Sequence, residues 1–291
     1  MSIKRILVPI TEIEDLGSMT AAAISVARLF KGHVQFLYQR DGGAEQHDLL
    51  SSFGSLNMNQ FSQLLEHHSD YIEKRAQDIR AHIEDQIQIH GLAYQETPSR
   101  LEQPSASLCE IDEPITDFVS HFGGVSDLIV VGQPSKANEQ SVSTVIGAAL
   151  FASGRPVLMA PPAMQTALDQ KVVIGWNRSI QAGRGVASAL PFLLLAKAVE
   201  IVSVVTGAKR GPSAEDLADY LTWHGVGSEV KEIPPEEHRA VGDILLKTAE
   251  KSGADLLVMG AYSHSRLREM LLGGVTKHIL SHANLPVLMA H

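Results

Sequence analysis

The sequence predicts an α/β protein made of two copies of one domain, each a five-stranded parallel sheet flanked by helices. Three observations carry this. The chain has 291 residues, which suits two domains of about 145 better than one. Asp127-Leu-Ile-Val-Val-Gly132 recurs as Asp255-Leu-Leu-Val-Met-Gly260, and Pro156-Val-Leu-Met-Ala160 recurs as Pro286-Val-Leu-Met-Ala290. Two matched blocks in the same order at nearly the same offset mark an internal repeat. Between them, short apolar runs alternate with segments of helical spacing, the pattern of a parallel sheet covered on both faces. The expected domains are residues 1–162 and 163–291, joined through Pro161-Pro162.

In the second copy, Val172–Trp176 reads as the first strand and Ser179–Leu194 as the helix after it, with Val186, Leu190 and Leu193 on its stripe. Val199–Val205 is the second strand. Ser213 is placed to cap a helix over Ala214–His224, with Asp216 three residues on as the acidic half of a capping box. Gly225–Val230 reads as a short strand and Arg239–Ser252 as a helix ended at Gly253. Leu256–Met259 and Val287–Ala290 are the last strands, with a helix over Val275–His282 between them.

The first copy follows the same plan with an insertion at about 41–90. Its first strand is the opening run Lys4–Ile10, which matches Lys171–Trp176, and its second is His33–Tyr38. Asp41–Asn59 is rich in Gly, Ser, Asn and Gln and reads as a loop. Phe61–His90 reads as a long helix with Leu65, Ile72, Ala76, Ile79, Ile83 and Ile87 on one stripe. That stripe faces the core, or in part a partner chain such as a second copy in a homodimer. The third strand is expected near Ala93–Glu96.

Composition narrows the function classes. Hydrophobic residues make up 44% and charged residues 20%, a globular composition. The formal net charge of −9 argues against non-specific nucleic-acid binding. No apolar run is long enough to span a bilayer, and no signal-like N-terminal segment is evident. The single cysteine, Cys109, excludes an intrachain disulfide and fits a reducing cytoplasm.

One segment has the makings of an anion cradle. After the fourth strand of the second copy the chain reads Gly260-Ala-Tyr-Ser263-His-Ser-Arg266-Leu-Arg268-Glu-Met-Leu-Leu-Gly273-Gly274-Val275-Thr276. Glycines let backbone N–H groups approach an anion, the helix that follows adds unpaired donors, and Arg266 and Arg268 supply charge. Ligands of open parallel sheets sit beyond the carboxyl ends of the strands, which is where this loop lies. The same residues also suit a loop that needs glycines for its turns and arginines for its exposed face.

These blocks resemble the universal stress protein A family across both halves, as a tandem member. The family's nucleotide-binding loop has Gly-x2-Gly-x9-Gly-(Ser/Thr); here the order is Gly260-x2-Ser263-x9-Gly273-Gly274. The spacing is kept, with Ser263 in place of a glycine and Gly274 in place of the hydroxyl residue. The resemblance implies a Rossmann-like fold of the adenine nucleotide alpha hydrolase-like kind, with ATP or a related adenine nucleotide as ligand. Gly260, Ser263, Gly273, Gly274, Val275 and Thr276 would line its phosphates and ribose, and Asn177 would stand where the family has an adenine-contacting Asp. Asn both donates and accepts, so the expected contact to adenine survives. The resemblance also implies that the two last strands, Val157–Met159 and Val287–Met289, pair with each other.

The first copy departs from this pattern. Its loop, Gly132-Gln133-Pro134-Ser135 through Glu139 to Thr144, is two residues shorter and lacks the later glycines. Pro134 removes an N–H, and Glu139 adds a negative charge. Residues 1–162 carry 11 basic against 20 acidic residues, whereas residues 163–291 carry 13 of each. A polyanion is therefore better tolerated in the second copy.

Other chemistry finds little support. His278 and His282 share a helix face without a third ligand, so no metal is expected beyond magnesium brought by a nucleotide. Cys109 beside Glu110 is expected to have a raised pKa and to be inert. No hydrolase elbow and no Walker sequence occurs, so at most slow ATP hydrolysis is expected. Two functions remain: a nucleotide-binding stress-response module, or a scaffold with degraded pockets that works only through protein contacts.

Overall fold

A computed structural model describes residues 2–10, 16–40, 58–97, 102–136, 138–163, 168–205, 211–235, 240–262 and 274–291, the side chains of 58–66 and 68 excepted. Among these residues the strands are β1 (Arg5–Ile10), β2 (His33–Gln39), β3 (Ala93–Tyr94), β4 (Ser105–Ile111), β5 (Leu128–Gly132), β6 (Val157–Ala160), β7 (Lys171–Gly175), β8 (Ala198–Val204), β9 (Glu229–Ile233), β10 (Leu256–Gly260) and β11 (Val287–Ala290). The helices are α1 (Leu16–Phe30), α2 (Met58–Ile89), α3 (Ile115–Phe122), α4 (Glu139–Gly147, running on into a π-helical turn at Ala148–Ser153), α5 (Ile180–Leu193), α6 (Ala214–Trp223), α7 (Val241–Ser252) and α8 (Gly274–His282).

All the strands lie in one sheet, in the order β3-β4-β2-β1-β5-β6-β11-β10-β7-β8-β9. Every neighbouring pair is parallel except β6–β11, where Val287, Leu288 and Met289 lie antiparallel to Met159, Leu158 and Val157. Two half-sheets thus meet edge to edge through the strands the resemblance implied. Each edge satisfies the other's backbone donors and acceptors, which would otherwise invite aggregation. The strands at this joint are fully buried, as continuous Val-Leu-Met-Ala runs require.

Helices cover both faces. On one face α1, α2, α5 and α6 pack over Val8, Phe36, Ile174 and Ile201. On the other, α3, α4, α7 and α8 pack over Leu7, Ile129, Val202 and Leu257. The stripe of α2 is a core stripe in its second part, with Ala76, Ile79, Ile83 and Ile87 buried. The capping box at α6 forms as expected: Ser213 Oγ accepts from Asp216 N at 3.1 Å, and Ser213 N donates to Asp216 Oδ2 at 2.7 Å.

Two third strands differ from expectation. In the first half, Ala93–Tyr94 forms only a two-residue outer strand, and the full third strand is β4. The half-sheet therefore has six strands, not five. Polar Ser105, Ser107 and Glu110 masked β4, because they read as loop while Ala106 and Leu108 alone mark its inner face. In the second half, β9 is Glu229–Ile233 and not Gly225–Val230. As an edge strand it carries Glu229, Lys231 and Glu232, which hid its alternation.

The repeated Asp-Leu blocks have a shared structural cause. Asp127 Oδ2 accepts from the backbone N–H groups of Lys4 and Arg5 at 2.7 and 2.9 Å. Asp255 accepts from those of Gln170 and Lys171 at 2.9 and 2.7 Å. Each Asp thereby fastens the start of the first strand of its half to the fourth. The adjacent sheet face is also polar in both halves. Arg5 donates to Gln35 at 2.9 Å, and the buried Glu200 lies 3.2 Å from Lys171 Nζ and 3.0 Å from Lys231 Nζ.

Candidate functional site

In each half the strand order reverses, between β1 and β5 in the first and between β7 and β10 in the second, so a crevice opens beyond their carboxyl ends. In the second half this crevice lies over β7 and β10. Its first wall is the turn from β7 into α5. Trp176 is buried, and its Nε1 donates to Pro212 O at 3.0 Å, which ties in the segment before α6. Asn177 is exposed at the tip. Its Oδ1 accepts from Ser179 N at 3.1 Å and from Ser179 Oγ at 2.6 Å, while Ser179 Oγ accepts from Ala182 N at 3.1 Å and caps α5. Arg178 takes a left-handed conformation, φ +64°, and its guanidinium lies 3.9 Å from Glu232.

Glycine is required where α5 crosses β10. A Cβ on Gly260 would collide with the backbone nitrogen of Ala182 and stand 2.5 Å from the carbonyl carbon of Gln181. A Cβ on Gly185 would come within 2.7 Å of Met259 O. Gly260 therefore lets the helix N-terminus sit directly on the strand end. This close approach positions the α5 cap and Asn177 over the crevice.

The second wall is the start of α8. Gly274 is exposed with open space around it, Val275 is half-buried and Thr276 is buried. Thr276 Oγ1 lies 3.4 Å from the N–H of Tyr262, which has φ +56°. Burial pushes the Tyr262 phenol up to about 12. Its ring meets Phe151 from the first half at a centroid distance of 5.1 Å, and Phe151 also meets His291 at 4.6 Å. Of the residues expected from sequence, the structure thus places Asn177 and Gly260 on one wall and Gly274, Val275 and Thr276 on the other. Ser263, Arg266, Arg268 and Gly273 lie outside the described residues.

One expectation changes in detail. Asn177 does not keep both its donor and its acceptor for a ligand, because Oδ1 already holds two hydrogen bonds from Ser179. Sequence reasoning missed this role of Ser179, together with the Trp176–Pro212 tie and Phe151. Asn-x-Ser just before an apolar helical run was the available signal for the first of these.

In the first half the loop after β5 bonds within itself. Asn138 is buried, and its Oδ1 accepts from Ser135 N at 2.6 Å and Ser135 Oγ at 2.9 Å. Glu139 occupies the first turn of α4 and lies 3.5 Å from Lys277 of the second half. Gln133 donates to Ala283 O at 3.0 Å. The loop is spent on internal bonds and on the joint between halves.

Elsewhere, Cys109 on β4 is half-buried, and its thiol is pushed up by burial first, with Glu110 adding to this and Arg5 opposing it. His278 and His282 stack at 4.4 Å, and His282 Nδ1 is bonded to His278 O. Among the described residues no group of three metal-ligating side chains occurs, and no helix is long and apolar enough to cross a membrane.

The fold and the crevice define an α/β protein with a mostly parallel sheet and a switch-point cleft in each half. Residues 170–291 match the universal stress protein family. A universal stress protein of Methanocaldococcus jannaschii is 38% identical over 69 residues, which are 22% of this chain and 38% of that protein. A universal stress protein of Synechocystis sp. is 24% identical over 180 residues, 60% of this chain and 61% of that protein. The chain thus matches less than two thirds of the length of either relative. The crystal structure of a universal stress protein from Archaeoglobus fulgidus superposes with a TM-score of 0.65 at 14% identity, covering 98% of this chain and 97% of that one. A functionally unknown protein from Pseudomonas aeruginosa PAO1 superposes with a TM-score of 0.53 at 16% identity, covering 99% and 92%. At these identities the likeness speaks for the fold alone.

Proposed function

We propose that the chain is a nucleotide-responsive stress module of two domains, 1–162 and 163–291, in which the second domain holds an adenine nucleotide and the first does not. ATP or a related adenine nucleotide is the ligand the family resemblance implies. The observation that carries the reading is the contrast between the two crevices. The second keeps an exposed Gly274 at the start of a nine-residue helix, facing an exposed Asn177 across the strand ends. In the first, the loop after β5 instead bonds within itself, Asn138 Oδ1 accepting from Ser135, and its helix starts with Glu139.

In this reading the N–H groups of Gly274, Val275 and Thr276 meet the phosphates, where unpaired donors and the helix dipole favour negative charge. Ser263, Arg266, Arg268 and Gly273 add donors and charge from the connecting loop, and magnesium arrives with the nucleotide. The protein works in the cytoplasm, as a regulator and not as a vigorous hydrolase. The test is calorimetric titration of the nucleotide-stripped chain with ATP, ADP and AMP. One-to-one binding abolished by Gly273→Val supports the reading. No heat and no thermal shift at millimolar nucleotide sinks it.

A scaffold that works through protein contacts is the second reading. The observation in its favour is the aromatic end of α6, where Trp223 is 90% exposed beside Tyr220, itself 41% exposed. The same titration separates the two, because the scaffold predicts no nucleotide heat at all.

A further inference from the structure

The sheet has two outer edges, and they are finished differently. In the first half β3 covers only Ser105 and Ala106 of β4. Past its end the hydroxyl of Tyr94 accepts from the backbone N–H of Leu108 and donates to Glu96 Oε1 at 2.9 Å. That edge thus takes a partner from its own half. In the second half β9 is the edge, and no strand lies beyond it among the described residues. Val205 N donates to Ile233 O at 3.0 Å. Backbone groups alternate sides along a strand, so Glu229, Lys231 and Ile233 turn theirs toward β8, and Val230 and Glu232 turn theirs outward. An outward row of this kind is a template for a further strand.

The charges of β9 select the strand. Glu229 and Glu232 are exposed, and Lys231 is half-buried. Such charges deter pairing with an arbitrary chain. Against a second copy of β9 they sort the registers. A two-fold axis normal to the sheet sets the two copies antiparallel, with each side chain opposite one on the same face. Centring the axis on Glu229, Lys231 or Glu232 puts a like charge opposite itself. Centring it on Val230 puts Glu229 opposite Lys231 of the second copy, twice over, and lets the outward backbone groups of the two Val230 residues bond each other. The chain already contains a joint of this kind, the antiparallel meeting of β6 and β11. Helix α6 packs against β8 and β9 and carries Tyr220 and Trp223, 41% and 90% exposed. The same axis brings both α6 helices to one face of the joint, where these aromatic side chains add apolar area to a short strand pair. We propose that β9 pairs antiparallel with β9 of a second copy, in the register centred on Val230, so that the sheet runs on through a symmetric homodimer.

The experiment is sedimentation equilibrium of the full chain over a range of concentrations, for the wild type and three variants. The wild type is expected to pass from the mass of one chain to that of two as concentration rises. Val230→Pro removes an N–H that faces outward, so it breaks no bond inside the chain but blocks the centre of the joint. It is expected to keep the mass of one chain throughout. Glu229→Lys turns two opposite-charge contacts per dimer into like-charge ones and should raise the dissociation constant about tenfold. Glu96→Lys makes the same change of charge at the other edge and should leave the dissociation constant unchanged. Thermal melts at the lowest concentration show that each variant is folded, and Glu229→Lys, an exposed substitution, carries the test if Val230→Pro does not fold. A wild type with the mass of one chain at every concentration would overturn the proposal. A two-chain mass that Glu229→Lys does not weaken, or that Glu96→Lys weakens as much, would overturn β9 as the joint.

Discussion

Asp127 and Asp255 make the same two bonds in the two halves of the sheet, yet Asp127 is exposed and Asp255 is buried. The difference shows how the halves have diverged on a common plan. The first half leaves its strand-fastening carboxylate in water and ties the loop after β5 to itself through Asn138 and Ser135. The second half buries the carboxylate and leaves Asn177 and Gly274 exposed. The second half thus leaves an amide and an open helix start at its strand ends, where the first half starts its helix with Glu139 behind a buried Asn138. The sheet face below repeats the lesson. Where Gln35 takes a bond from Arg5, the same register position in the second half holds Glu200 between two lysines.

The largest expected effect lies at the close approach in the second crevice. Gly260→Ala drives a Cβ into the backbone of α5, which cannot yield as a side-chain end could. Overpacking against backbone is expected to cost about 3 kcal/mol, a fall of about 6–10 °C in melting temperature. Gly274→Ala, with nothing within 4 Å, is the control and should melt within about 1 °C of wild type. If the two variants melted alike, the steric account of Gly260 would be wrong.

The paired aspartates come next. Removing a buried carboxylate orphans two backbone donors, so Asp255→Ala should cost about 2–3 kcal/mol. At Asp127 water can replace the lost bonds, and the cost should be about 1 kcal/mol. Denaturant unfolding of the two variants measures the gap. Equal losses would mean that burial does not separate the halves energetically.

The smallest effect concerns a polar group found only in the first half. His33 lies between Ser105 Oγ at 2.9 Å and Ser107 Oγ at 3.1 Å. Burial, and then the charge of Arg5, lowers its pKa below the ordinary histidine value. A lowered histidine favours the fold when neutral. Its stabilisation is complete above about pH 6.5 and is lost as pH falls through the folded value. The melting temperature of wild type minus that of His33→Gln should therefore shrink by about 1–2 °C between pH 7 and pH 5. A difference that stays flat or grows over that range would contradict the assignment.

How much of this was legible in the sequence follows from what each residue does. The repeated Asp-Leu and Pro-Val-Leu-Met-Ala blocks revealed the doubled plan because they serve the sheet itself, as strand fasteners and buried joint strands. β4 escaped because its buried Ser105 and Ser107 break the apolar run, and β9 because an edge strand carries charged residues that erase the apolar signal. Ser213 and Asp216 were readable as a capping box because both bonds are local. The sequence singled out the glycine at 260 but not its steric reason, since the helix backbone that forbids a side chain there comes from some 78 residues earlier in the chain. The departure of the first loop was half legible. Pro134 and Glu139 spoke against an anion, whereas the Asn138–Ser135 bonds depend on a turn geometry that composition does not fix.

The most direct test of the contrast between the crevices is amide hydrogen exchange of the full chain with and without saturating purine nucleoside triphosphate. The account predicts slowed exchange at residues 177–182 and 274–277, and unchanged exchange at residues 133–141. Protection at 133–141, or no change anywhere at a concentration that saturates binding, would contradict it.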